Sequence, residues 1–362
     1  MGKSAVKGLF YNFLIAATFL LAAITIIAGF SGNVSPLDSA LLPLLGLAVP
    51  VWLVCNLMVA LCWALARKAW TLIPLIALFC NGSYLTSVIQ LHPFQETPPS
   101  ARLLKIATYN VRNFGYEFTG YSCKEIALYM QQEQVDILCF QEFGDNAYFP
   151  MDSIRQALSH WSYALIPKED AAYGALPIAV FSRYPLINER WITYPQSSNC
   201  SLMCEVVIGS DTLRLLNNHL QTTNINQKRS QWQRERTLKD PRREARIAQE
   251  VKETLQENFV KRTHQTHIIG YYAKTSPYPV IVCGDLNSLP SSYTYRYLNG
   301  FLKDGFRTAG NGYMYTYRYG KKMLRIDYLF HSNDLKGVSY YSPTREFCSD
   351  HNPVILEVNL TP

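Results

Sequence analysis

The side chains able to do chemistry in this 362-residue chain recur at the ends of short apolar runs. The run LLKIATYNV (103–111) closes on Asn110, Arg112 and Asn113, and VDILCF (135–140) is followed by Gln141 and Glu142. LRLLNN (213–218) runs into His219, and PVIVC (279–283) is followed at once by Gly284, Asp285, Leu286 and Asn287. RIDYLF (325–330) carries Asp327 within it, and Asp350 and His351 precede the run 354–358. One carboxylate after a strand is commonly a turn or helix cap. A repeated output of amides, carboxylates and histidines is hard to explain by capping. Gathered at one rim of a sheet pair, their oxygens suit a hard divalent cation.

The elements that must position these groups are short apolar runs bounded by turn residues, the pattern of buried sheet strands. ALPIAVFS (175–182) belongs to the same series, and 124–134 reads as a helix with apolar Ile126, Leu128, Tyr129 and Met130. Cys139 and Cys283 fall inside strand-like runs as small core residues. Cys123, Cys200, Cys204 and Cys348 could pair in an oxidising compartment. No metal-binding cysteine spacing is present.

The first hundred residues are different. They hold four basic residues (Lys3, Lys7, Arg67, Lys68) and two acidic ones (Asp38, Glu96), within a chain of net charge +7 and only 17% charged residues. A membrane span needs about 20 mostly apolar residues. Three spans are expected, near 9–30, 41–66 and 70–91, followed by a polar linker over 92–100 and a globular domain over 101–362. A cleaved signal peptide is the alternative for the first run, but its apolar stretch exceeds the usual length and two more follow. The basic residues before span one and between spans two and three put that face in the cytoplasm. The domain from 101 onward is therefore expected outside it, on an integral protein of the inner or plasma membrane with a periplasmic catalytic domain.

The blocks ATYNVRNF, DILCFQEF, NNHLQT, VCGDLNSLP, RIDYLF and SDHNPV, in this order over residues 101–360, resemble the endonuclease/exonuclease/phosphatase superfamily. That superfamily includes DNase I-like nucleases, AP endonucleases, inositol polyphosphate 5-phosphatases and bacterial sphingomyelinases. The resemblance implies an α+β fold, a four-layer αββα sandwich with two mixed β-sheets. It implies a hydrolase of phosphoric esters that depends on Mg²⁺ or Mn²⁺. Glu142 matches the principal metal ligand, with Asn110 and Asp350 assisting. Asp285 matches the aspartate that orients or deprotonates the attacking water, Asn287 helps hold the phosphate, and His219 donates to a non-bridging oxygen. His351 contacts the phosphate or relays a proton, with Asp327 fixing its orientation. Such a division of labour suits phosphoryl chemistry.

Nuclease activity is the leading expectation, and hydrolysis of a phospholipid or its headgroup is the alternative, since HLQ after Asn218 is similar to the bacterial sphingomyelinases. The expected partners are a phosphate ester, as nucleic acid or lipid headgroup, and the bilayer. A membrane scaffold reusing the fold is the non-enzymatic alternative. His160, His264, His267 and His331 lack matching motifs and read as solvated or core residues. Tyr173 is a candidate to approach the site. The stretch 228–262, with eleven basic and six acidic residues, reads first as a solvated helix laced with opposite charges and second as a footprint for phosphate-rich partners. The tyrosines of GYMYTYRYGKK (312–322) read first as a cross-strand ladder, and otherwise as a surface that stacks on bases or sits at a lipid interface.

Overall fold

A computed structural model describes residues 3–39, 41–92, 102–167, 176–223, 243–319, 321–343, 345 and 347–360. Its strands are β1 Ile89–Gln90, β2 Leu103–Asn110, β3 Ile137–Gln141, β4 Tyr163–Leu165, β5 Ile178–Ser182, β6 Leu186–Thr193, β7 Cys200–Ile208, β8 Asp211–His219, β9 Val280–Asp285, β10 Lys303–Asp304, β11 Gly312–Tyr313, β12 Asp327–His331, β13 Lys336–Tyr341 and β14 Val354–Asn359. The helices are α1 Lys3–Phe30, α2 Leu42–Leu47, α3 Val49–Leu65, α4 Leu72–Cys80, α5 Gly82–Val88, α6 Tyr121–Gln132, α7 Met151–Ala157, α8 Arg243–Lys274, α9 Tyr293–Asn299 and α10 Gly305–Ala309.

Two six-stranded sheets carry the domain, in the orders β13-β14-β2-β3-β5-β4 and β10-β12-β9-β8-β7-β6. Both are mixed, because β2 pairs parallel with β3 and β8 with β9 while their neighbours run antiparallel. Apolar side chains from both sheets, Ile106, Cys139 and Val180 against Leu215, Cys283 and Leu329, form one fully buried core between them. The outer faces are covered by α6 and α7 through Ile126, Met130 and Ile154, and by α8 and α9 through Ile269, Tyr295 and Leu298. The layers are helix, sheet, sheet and helix, as the resemblance implies. All nine cysteines are free, so the pairing considered for Cys123, Cys200, Cys204 and Cys348 does not occur.

Parallel pairing aligns the C-terminal ends of adjacent strands, so Asn110 lies opposite Gln141 and His219 opposite Asp285. β12 enters antiparallel with Asp327 opposite Asp285. Gly284 makes the register possible. Its φ is +127°, and a Cβ there would sit 1.9 Å from the Asn218 carbonyl oxygen, so no other residue fits.

The N-terminal region departs from the expectation of three continuous spans. Among the described residues one helix, Val6–Asn33, is long and apolar enough to cross a membrane alone. The second run is interrupted at Ala48, where α2 ends and Pro50 starts a new helix of 17 residues, Val49–Leu65. The third bends by 62° at Asn81, between Ala69–Cys80 and Gly82–Val88. Hydropathy records apolarity, whereas proline and capping residues decide continuity. The pieces nonetheless pack together. Asn56 Nδ2 donates to Thr25 Oγ1 (2.6 Å), Trp63 Nε1 to Thr18 Oγ1 (3.0 Å) and Asn81 Nδ2 to the Thr25 carbonyl (3.2 Å). Outward they present large apolar side chains such as Phe10, Phe13, Leu57, Leu61 and Phe79.

This N-terminal unit is docked on the sheet domain. Ser291 Oγ donates to the Gly46 carbonyl (2.7 Å), Arg296 to Ser83 Oγ (2.8 Å), and Arg325 to the Ser87 carbonyl (2.7 Å). β1 pairs antiparallel with β11. Gly32 packs so closely that a Cβ would lie 2.5 Å from the Ser291 carbonyl oxygen.

His331 is a core residue, as its lack of a motif suggests. Its Nδ1 lies 2.9 Å from the Ser332 carbonyl and its Nε2 3.1 Å from Thr308 Oγ1. Burial holds its pKa below the ordinary histidine value. The unfolded chain therefore takes up a proton that the fold resists, and stability should fall as pH drops below about 6.5. We expect a denaturation series over this range to show a shallower pH slope for His331→Gln than for wild type. Equal slopes would remove His331 as the cause.

Candidate active site

Five strand ends converge on one rim. Asn110, at the end of β2, donates through Nδ2 to Glu142 Oε1 and to Asp285 Oδ2, both at 3.1 Å. Its Oδ1 accepts from the Arg112 N–H at 3.1 Å, so this amide braces two carboxylates. Glu142 follows β3 with φ +46° and keeps its side chain 19% accessible. A left-handed, non-glycine residue at a strand end is strained, and such strain gathers at functional sites. Asn287, at φ +48°, closes the turn after β9 by donating its N–H to Asp285 Oδ1 (2.9 Å).

His219 is fully buried, with Nε2 3.9 Å from Glu142 Oε1 and 3.7 Å from Asp285 Oδ2. Among the described residues neither ring nitrogen has a side-chain hydrogen-bond partner, which leaves the ring free to meet a bound group. Burial lowers its pKa, against the pull of Asp285, so His219 favours the neutral ring. His351 is the opposite case. Burial opposes its charge, but Asp327 and Asp285 outweigh that and hold its pKa up at about 10. Its Nδ1 sits 2.9 Å from Asp327 Oδ2 and its Nε2 3.7 Å from Asp285 Oδ2. Burial, reinforced by Asp327, pushes Asp285 up to about 6. Two histidines in one pocket are thus driven apart, one neutral and one cationic.

Asp285, Asp327 and His351 bring ligand atoms within 4.8 Å of one another, close enough to hold an ion. His351 Nδ1 is already committed to Asp327, so we read this trio as a proton-holding chain. The carboxylates of Glu142 and Asp285 share a single amide donor, leaving oxygen lone pairs in excess. That donor set fits a hard divalent cation. Asp350 lines the same cleft as Glu142, Asp285, Asn287 and His351. All eight residues singled out in the sequence therefore lie at one rim. Tyr173 falls outside the described residues, as does 228–242 of the basic stretch; the described helix α8 begins at Arg243 and continues to Lys274.

Several participants escaped sequence reasoning. Thr316 Oγ1 accepts from the Asp327 N–H (3.1 Å). Ser349 Oγ accepts from the His351 N–H (3.0 Å) and donates to the Asn110 carbonyl (2.6 Å). Gln141, noted in the sequence only as the residue before Glu142, donates to Asn217 Oδ1 (2.6 Å) and Thr108 Oγ1 (3.0 Å), tying the sheets together beneath the site. Tyr317, from the tyrosine-rich segment, sets its ring edge-on to His351 with centroids 5.1 Å apart. Arg262, on α8, lines the cleft at 3% exposure. The ladder expected over 312–322 is only partly formed, since Tyr313 pairs with β1 instead.

Fold and rim together define an enzyme that hydrolyses phosphoesters. The chain matches the Endonuclease/Exonuclease/phosphatase family over residues 107–351, more than half its length, and it belongs to that family. The family's enzymes are divalent-metal-dependent. Residues 11–88 match a separate family described as Domain of unknown function (DUF8431). No curated protein matches the sequence. Among solved structures, an endonuclease/exonuclease/phosphatase from Bacteroides vulgatus is 15% identical, with 72% of this chain and 99% of that one covered at a TM-score of 0.52. Humanized D. rerio TDP2 is 17% identical, over 71% of this chain and 99% of its own, at 0.51. D. rerio TDP2 complexed with single strand DNA product is 15% identical, with the same coverage, at 0.50. These neighbours share the fold.

Proposed function

We propose that this chain is a divalent-metal-dependent phosphoesterase held at a membrane by its N-terminal unit, with the catalytic domain on the extracytoplasmic face. The observation carrying the catalytic reading is the convergence of Glu142, Asp285 and His219 around the Asn110 amide, beside the Asp327–His351 pair. In this reading Asp285 takes a proton from the attacking water, and neutral His219 donates to a non-bridging phosphoryl oxygen. Asn287 holds the phosphate. Cationic His351 faces the charge that develops on the ester, and Asp327 orients it. Glu142, with Asn110 and Asp350, would hold Mg²⁺ or Mn²⁺, which would supply Lewis-acid chemistry there.

The direct test is hydrolysis of bis(p-nitrophenyl) phosphate by the full chain with and without EDTA. Glu142→Gln keeps size and can still meet the Asn110 amide, but removes the charge. We expect EDTA to abolish turnover and Glu142→Gln to lower it about a hundredfold, within the range single groups contribute. Undiminished turnover in the variant at saturating Mg²⁺ would refute the assignment of Glu142.

Nuclease activity is the second reading, supported by the fold shared with TDP2 solved with a single strand DNA product.

Membrane attachment is supported by the apolar outer surface of the N-terminal unit, since water-exposed patches of that kind are rare on soluble proteins. Orientation is supported by charge. Lys68 lies over the ring of Tyr11, and Trp70 donates to the Tyr11 hydroxyl, at the end of the bundle carrying Lys3, Lys7 and Arg67. Ser31, Gly46 and Ser87, at the other end, touch the catalytic domain. Basic residues favour the cytoplasmic face. An alkaline phosphatase fused at residue 362 should be active in cells and a cytoplasmic reporter silent; the converse pattern would reverse the orientation.

A further inference from the structure

We infer that the N-terminal unit is part of the substrate site, and that the cleft accepts an amphiphilic phosphate ester, a phospholipid of the adjoining leaflet. The inference rests on the phosphoesterase reading and adds the class of substrate.

The cleft of about 510 Å³ that holds Glu142, Asp285 and His351 is not walled by the sheet domain alone. Pro36, Pro43 and Leu47, from the segment joining α1 to α3, form one side, and Leu255 and Phe259 of α8 line it as well. A tether would need no such wall. Here the joining segment is fixed in place by Ser291, which donates to the Gly46 carbonyl at 2.7 Å and whose own carbonyl accepts from Ser31 Oγ at 3.3 Å. The apolar surface does not stop at the cleft. Leu37, Leu41 and Leu47 of the same segment are exposed, as are Phe30 at the end of α1 and Val51 at the start of α3. An acyl chain could pass from lipid to the rim without crossing water.

Beside Phe259, whose ring lies 5.2 Å from its guanidinium, one buried cation in the cleft asks for an anion. Arg262 is 3% exposed, and its Nη1 donates to the Gln221 carbonyl (2.9 Å) and to Thr223 Oγ1 (3.3 Å). Among the described residues no carboxylate lies within 4.0 Å of it to form an ion pair. Asp285 acts on this guanidinium only from a distance, so its buried charge is not met by direct contact, and its planar fork suits phosphate oxygens. The cleft thus offers a cationic pole near the catalytic carboxylates and an apolar wall leading toward the membrane helices. A nucleic acid would use the first and leave the second dry; a phospholipid uses both.

The test uses the full chain in phosphatidylcholine nanodiscs with Mg²⁺. Its substrates are p-nitrophenyl phosphodiesters whose second ester is methyl, butyl, octyl or dodecyl, so the leaving group never changes. If the wall receives the chain, kcat/KM should climb at least about tenfold from methyl to octyl, since each buried methylene is worth up to roughly fourfold. Leu47→Asp, at a position already 41% exposed, should flatten that climb, and so should Phe259→Ser. Arg262→Gln should raise KM for the dodecyl ester more than it lowers kcat. A wild-type series with no dependence on chain length would overturn the inference while leaving the phosphoesterase standing. Cleavage of a single-stranded oligonucleotide with higher kcat/KM than the octyl ester would overturn it in favour of nucleic acid. Failure to hydrolyse any of these esters would instead remove the phosphoesterase reading itself.

Discussion

Asp285→Asn is expected to lower kcat/KM by about 10²–10⁴-fold, the range spanned by a positioned general base, with little change in melting temperature. The asparagine Oδ1 can still accept the Asn287 N–H that Asp285 accepts at 2.9 Å, so the turn after β9 keeps its cap. What disappears is the carboxylate lying 3.7 Å from both His219 Nε2 and His351 Nε2. His351→Gln should cost a similar factor, because it removes the cation that Asp327 orients. If the two groups serve one transition state, the double variant should be little worse than the poorer single, since residues acting as a unit are strongly non-additive. A pure turn cap would behave differently, costing about 1 kcal/mol in stability and nothing in rate. Fully multiplying rate losses in the cycle, or a melting temperature that falls while turnover holds, would refute joint action.

The second large effect concerns stability. Arg325 is completely buried, and Asp304 meets it with both carboxylate oxygens at 2.6 Å. The guanidinium also donates to Tyr340 Oη at 3.0 Å and to the Ser87 carbonyl, and it lies against the ring of Tyr328. Asp304→Asn preserves the helix cap that accepts the Phe306 N–H but leaves a buried cation without its counter-charge. Breaking a buried pair from one side costs about 3–5 kcal/mol, which we expect in denaturant unfolding of the full chain. Asp304→Leu combined with Arg325→Met should recover much of it, because replacing both charges by packed apolar groups is often neutral. A loss below about 1 kcal/mol in the single variant would mean that water reaches the pair.

The sheet domain was legible because its signals are local. PVIVC is buried on both faces and is punctuated by a glycine that only one backbone geometry explains, so β9 and the residues after it could be placed from sequence. The strands nevertheless run further than their apolar cores. Hydrogen bonding between β8 and β9 carries through His219 and Asp285, past the ends of the runs LRLLNN and PVIVC. Arg262 stayed hidden for a physical reason: charge alternation describes the exposed face of α8, and nothing in that pattern marks which cation turns inward. The breaks at Ala48 and Asn81 escaped similarly, since an apolar window has the same hydropathy whether or not its helix is continuous. Thr316 and Ser349 act through backbone bonds that depend on distant strands meeting.

The docking of the N-terminal unit has a consequence for how the protein is made. Its anchoring bonds join residues separated by 213 to 260 positions along the chain. The helices leave the ribosome long before Ser291, Arg296 and Arg325 exist to receive them, and closing such long loops is slow. The helical unit and the sheets must each take shape before the two halves can meet. The cleft acquires its apolar wall only at that last step, so a nascent or half-assembled chain carries the rim residues without Pro36, Pro43 and Leu47 beside them.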